Sequence, residues 1–144
     1  MSVNTEETGR SFSVRLSSTR RGARLARQLV LSQLCLWGVP VSGEFGADVA
    51  SVVGELAANA VFHGRSPGRD FELAVSCSPP LLRVAVTDTR PERLPPSSGH
   101  SPRPAPEEEG GRGLRLVDAL ALERGMVVGP VTKTVWAALR LPGC

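Results

Sequence analysis

Residues 54–64 read GELAANAVFHG. Glu55, Asn59 and His63 recur every fourth residue, which on an α-helix lines them up along one edge. Around that edge Val52, Val53, Leu56, Ala57, Ala60 and Val61 form a broad apolar face. Packing alone does not call for an acid, an amide and an imidazole in register on such a helix. What the polar edge faces is decided by the rest of the chain.

Working outward, the helix is expected to start near Glu44 to Ala47 and to run to about Phe62, where Gly64 and Pro67 stop it. Before it, Ser11 to Leu16 alternates like a short strand, and Thr19 is placed to cap a helix reaching about Leu36. Leu25, Leu29, Leu36 and neighbouring Val30 and Leu34 supply its apolar stripe, and Gly38 and Pro40 end it. After the central helix, FELAVSC (Phe71 to Cys77) and LLRVAVTD (Leu81 to Asp88) have strand composition, and their short connection predicts an antiparallel pair. From Thr89 to Glu109 the chain is dense in Pro and Ser and cannot be core. Order resumes with GGRGLRLVDALALERG, read as a short helix closed by Gly125. Two strands follow, Met126 to Val128 and Thr132 to Leu141, about a Gly129-Pro130 turn. The order β-α-α-β-β-loop-α-β-β predicts an α+β sandwich, with helices on one face of a mixed, mostly antiparallel sheet.

The chain has 144 residues, 41% of them hydrophobic, which suits one domain with a real core: residues 1–10 as a flexible start and 11–144 as the domain. The net charge of +3 is modest, and Lys133 is the only lysine. Arg15, Arg20, Arg21, Arg24 and Arg27 gather near the first helix, while Glu107, Glu108 and Glu109 make an acidic knot. Without aromatic interleaving, zinc spacing or a recognition helix, the basic residues read as a solvated face, which points away from direct nucleic-acid binding. Cys35, Cys77 and Cys144 form neither a disulfide framework nor a metal site, and two sit in apolar runs as core residues would. The polar, acidic N-terminus is unlike a signal peptide, and no apolar run has membrane-spanning length. A reduced cytoplasm is the expected home.

Four features carry chemistry. Glycines at Gly110, Gly111 and Gly113, opening a helix at Leu114, let backbone N–H groups approach an anion such as phosphate. A hinge at a helix start explains the same residues. Asp88 ends an apolar strand; its carboxylate accepts hydrogen bonds and could receive an amino group such as adenine's. An ordinary turn-initiating Asp would look alike. Asn59 offers a hard oxygen suited to magnesium, and Glu55 one turn away could orient or deprotonate a nucleophile. His63 by itself reads as a helix-end residue favoured by the dipole. The order matters more than any one of them: a carboxylate-amide helix, a strand-ending Asp, a long Pro-rich loop and a Gly-rich helix start, and a magnesium-nucleotide site explains all four at once.

In these motifs the chain resembles the GHKL ATPases of gyrase, heat-shock protein 90 and histidine kinases, which share the Bergerat fold. Within that group it is most similar to the short bacterial anti-sigma-factor serine kinases and their actinobacterial relatives. Residues 55–63, ELAANAVFH, match the N box; Val86-Thr87-Asp88 matches the start of the G1 box; Gly111-Arg112-Gly113-Leu114 matches the G2 box; and Thr132 to Trp136 matches the closing strand. The resemblance implies a Bergerat-type two-layer sandwich that binds ATP and Mg2+. Asn59 would hold the magnesium, Glu55 would act as general base for a serine hydroxyl or water, and Asp88 would bind the adenine amino group with Thr134 supporting it through a water. Gly111 and Gly113 would cradle phosphates, His63, Gly110 and Leu114 fall within the nucleotide-binding set, and residues 89–110 would form a lid. The family's G1 box continues Asp-x-Gly-x-Gly, whereas here Thr89, Arg90, Pro91 and Glu92 follow Asp88. Arg90 or Arg112 could compensate by reaching the phosphates.

The function this implies is partner switching. The protein would be an ATP-dependent serine/threonine kinase and anti-sigma factor whose partners are a sigma factor and an anti-sigma-factor antagonist. Relatives often pair through the sheet face or first helix, so a homodimer is compatible. The alternative is an inactive interaction module of the same fold with a vestigial nucleotide site.

Overall fold

The structure, a computed structural model, describes residues 9–64, 69–88 and 114–143; the side chains of residues 62–64 lie outside that description. Alternating residues make β1 (Arg10–Ser17), one residue earlier than Ser11. Thr19 then caps α1 (Arg20–Leu36), its Oγ1 accepting the Gly22 N–H at 3.0 Å. Gly22 is required there, because a Cβ would run into the Ser17 carbonyl oxygen. The helix ends where Gly38, at φ +81°, takes the left-handed conformation and its N–H donates to the Cys35 carbonyl at 2.9 Å.

Helix α2 (Glu44–Gly64) follows, then β2 (Asp70–Ser78) and β3 (Leu81–Asp88). Residues 114–120 form a short helix, α3, ahead of β4 (Glu123–Val128) and β5 (Lys133–Arg140). The five strands run in the order β1-β2-β3-β5-β4, and every pairing among them is antiparallel. The strand after Gly129-Pro130 begins at Lys133 and is β4's partner.

The helices cover one face. Val30 and Leu34 of α1 and Val52, Val53 and Leu56 of α2 are buried against Phe71, Leu73 and Val75 of β2 and Leu82, Val84 and Val86 of β3. Full burial of one such side chain stabilises by about 1.5–3 kcal/mol, so this layer supplies the main driving force for folding. The opposite sheet face holds shorter and polar groups. There Trp136 lies over Gly125, where a Cβ would come within 2.6 Å of the indole, and the Arg83 guanidinium stacks 4.7 Å from the ring centroid.

Three expectations need correcting. Leu25 and Leu36 do not join the core but are 40% and 77% exposed, because α1 docks through Gly22, Ala26, Val30 and Leu34 instead. Cys77 is buried as expected, whereas Cys35 is exposed. The third helix stops at residue 120 rather than reaching Gly125, since Leu122 N–H donates to the Ala138 carbonyl and Glu123 onward pairs with β5. Helix α3 is tied to β4 by a two-pronged contact, Arg124 Nε to Asp118 Oδ1 at 2.8 Å and Nη2 to Oδ2 at 3.1 Å. Hydrogen bonding from the guanidinium holds the Asp118 carboxyl below its ordinary pKa and raises that of Arg124.

Candidate nucleotide site

Strand alternation sorts the candidate residues onto faces. Leu82, Val84 and Val86 of β3 point into the core, so Asp88, two residues on, points the same way at the strand's end. At 6% exposure it is the one buried charged or polar residue among those described. Its Oδ2 is out of reach of solvent and accepts no hydrogen bond, although the residue makes another interaction within the chain. A buried carboxylate oxygen with capacity to accept suits a ligand N–H.

The helix bearing Glu55 and Asn59 is carried to the same end of the sheet by connectivity. Helix α2 ends at Gly64, and only residues 65–69 separate it from Asp70. Phe71 pairs with Asp88, so β2 begins at the Asp88 end. Asn59 is five residues before the helix terminus, about 7.5 Å along the axis, and Glu55 is one turn further back. Both side chains are half-buried beside the core-facing row Val52, Leu56 and Ala60, and α2 packs over β3 and β5. Asp88 and the C-terminal half of α2 thus lie at the same end of the sheet, with Glu55 and Asn59 flanking the helix's buried row.

Thr134 falls elsewhere. Its side chain is on the uncovered face, where its Oγ1 hydrogen-bonds Thr87 Oγ1 at 2.7 Å. The residue that stands beside Asp88 on the helix-covered face is Lys133, its direct partner across β3 and β5. Sequence reasoning passed over Lys133; the alternation of Val135, Ala137 and Leu139 as buried residues is the signal that could have found it.

Leu114, half-exposed, is the first described residue of α3. The His63 side chain, Arg90, Gly110, Gly111, Arg112, Gly113 and the lid at 89–110 lie outside the described residues. Among the described residues no group of three His, Cys, Asp or Glu side chains could hold a metal. Asn59 with Glu55 would suit a cation that takes further ligands from phosphate and water, which is how magnesium usually enters nucleotide sites.

An antiparallel sheet covered on one face by helices, with a carboxylate buried at a strand end, is an α+β sandwich with its candidate polar groups gathered at one end. The sequence pattern of the histidine kinase-like ATPase domain matches residues 12–138, and the chain belongs to that family. Among solved structures it is similar to the RsbU and RsbW domains of Rv1364c from Mycobacterium tuberculosis, at 21% identity and a TM-score of 0.66. The match covers 92% of this chain but 32% of that one, so this chain spans about a third of its length and the likeness is one of fold. No curated protein matches. Among the described residues no helix is long and apolar enough to cross a membrane.

Proposed function

We propose that this protein binds Mg–ATP between α2 and the sheet and uses it to regulate transcription by partner switching in the cytoplasm. It would bind a sigma factor and phosphorylate a serine on an anti-sigma-factor antagonist. The observation that carries the reading is the Glu55/Asn59 pair, half-buried one turn apart on the helix that packs over β3, whose last residue is Asp88, in a chain of the histidine kinase-like ATPase family.

In this reading Asp88 accepts the adenine amino N–H and fixes the base at the sheet end. Asn59 supplies an oxygen to the magnesium ion, and Gly111 and Gly113 give backbone N–H groups to the phosphates. Magnesium, when bound, neutralises phosphate charge and orients the γ-phosphoryl group. Glu55 takes the proton from the partner's serine hydroxyl as its oxygen forms a bond to the γ-phosphorus and the bond to ADP breaks. Positioning and charge neutralisation dominate such transfers, which a small site can provide.

The test is transfer of labelled phosphate from ATP to purified anti-sigma-factor antagonist domains. A general base contributes about 10²–10⁴-fold, so Glu55→Ala should lose transfer by that order while keeping ATP affinity. Transfer by Glu55→Ala at the wild-type rate would contradict the base role. A second reading, a non-catalytic interaction module, is favoured by Thr89-Arg90-Pro91, where the family has a glycine-containing G1 box. It expects no transfer by the wild-type protein to any antagonist it binds.

A further inference from the structure

The five strands present one transverse row at the Asp88 end of the helix-covered face: Leu16, Phe71, Asp88, Lys133 and Val128, each directly paired with the next. Residues opposite each other on adjacent antiparallel strands have Cβ atoms about 4.5–5.5 Å apart. The only lysine in the chain therefore rises beside the only buried carboxylate among the described residues. On the far side of Lys133 stands Val128, 54% exposed, and one row inward lies Met126, 47% exposed. Apolar side chains left open on the covered face of a sheet mark a surface that something flat and apolar can lie against.

A carboxylate only accepts hydrogen bonds and an ammonium only donates them. Side by side they make an acceptor next to a donor. The pairing edge of adenine shows the complement, an amino N–H at N6 next to an acceptor at N1. We propose that Lys133 is a second base-reading residue, donating to adenine N1 while Asp88 accepts from N6, with Val128 and Met126 along the ring. This rests on the nucleotide-site reading given above and assigns to this chain a contact that Thr134, on the other face, cannot make. Lys133 is half-buried at the start of β5, and a long lysine stem can lie along apolar surface while its ammonium stays at the edge. Both residues also make a further interaction within the chain.

The experiment is a cycle between protein and ligand. Dissociation constants are measured for ATP, 1-deaza-ATP, in which N1 is a C–H, and 7-deaza-ATP, which keeps N1. The proteins are wild type, Lys133→Met, Lys133→Arg and Asp88→Asn, each checked for folding by circular dichroism. A hydrogen bond from a charged donor corresponds to roughly tenfold or more in affinity. Wild type should bind 1-deaza-ATP weaker than ATP by that factor and 7-deaza-ATP nearly as well as ATP. Lys133→Met should lose the same factor for ATP and bind ATP and 1-deaza-ATP alike, and Lys133→Arg should recover part of the discrimination.

Losses from Lys133→Met and from 1-deaza-ATP that multiply would overturn the contact and leave Lys133 as a neighbour that only balances the Asp88 charge. Unchanged ATP affinity in Lys133→Met, with Asp88→Asn weakened, would overturn the Lys133 proposal alone. Folded wild-type protein that binds none of the three nucleotides would overturn the nucleotide-site reading and this inference with it.

Discussion

Replacing Asp88 by Asn keeps the shape of the side chain and removes its charge at a position 6% exposed. A hydrogen bond to a charged group is worth about 1.5–3 kcal/mol, against about 0.5–1.5 kcal/mol for a neutral pair. The difference, about 1–1.5 kcal/mol, should appear as a roughly five- to thirteenfold weaker ATP affinity. The comparison that gives this number meaning is Thr134→Val, one strand over on the other face. Its hydroxyl bond to Thr87, 2.7 Å long, contributes to stability by about 0.5–1.5 kcal/mol, so its melting temperature should fall by a few degrees. Its ATP affinity should stay within about twofold, the limit for a site outside the ligand's reach. Both variants are measured by displacement of a fluorescent ATP analogue and by thermal melting. Equal affinity losses in the two, or a loss confined to Thr134→Val, would refute the assignment of faces and of Asp88 as the base anchor.

Two glycines on the helices should behave oppositely. Gly22→Ala should destabilise by about 1–3 kcal/mol in urea, because the new methyl meets the Ser17 backbone carbonyl, which cannot move aside. Gly54→Ala meets only the Arg27 Cδ at 3.0 Å, the middle of a flexible side chain, so the helix propensity of Ala should make it neutral or stabilising. Asp118→Asn, which removes the contact with Arg124, should cost less than about 1 kcal/mol near neutral pH, since the carboxylate is largely exposed. The folded-state pKa of Asp118 is lowered, so its contribution is present above the unfolded value of about 3.9 and is lost as pH falls through the folded value. The stability gap between wild type and Asp118→Asn should therefore close in strong acid, and a gap that widened there would reverse the sign.

Much of this was legible in the sequence, for identifiable reasons. The four-residue spacing of Glu55, Asn59 and His63 on an apolar helix requires no tertiary information, and neither does the alternation that ends β3 at Asp88. The stripe of α1 was harder, because it holds more leucines than one face can bury. Packing selected Gly22, Ala26, Val30 and Leu34, small and branched residues that let the helix come close, and left Leu25 and Leu36 outside. The end of α3 depended on β5, a partner remote in sequence that draws Glu123 into the sheet. At the site the difference between Thr134 and Lys133 is a single residue, and in a strand one residue exchanges the two faces. Residue spacing along the chain does not say which of the two shares a face with Asp88, whereas the cross-strand register does.

Calorimetric titration of ATP into the wild-type protein and Asn59→Ala, each with magnesium and with a chelator, addresses nucleotide binding most directly. Magnesium-dependent heat in the wild type that disappears on chelation and in Asn59→Ala is the expected result. Folded wild-type protein that gives no binding at millimolar ATP, or binds identically after the substitution, would contradict the placement of a Mg–ATP site on the polar edge of α2.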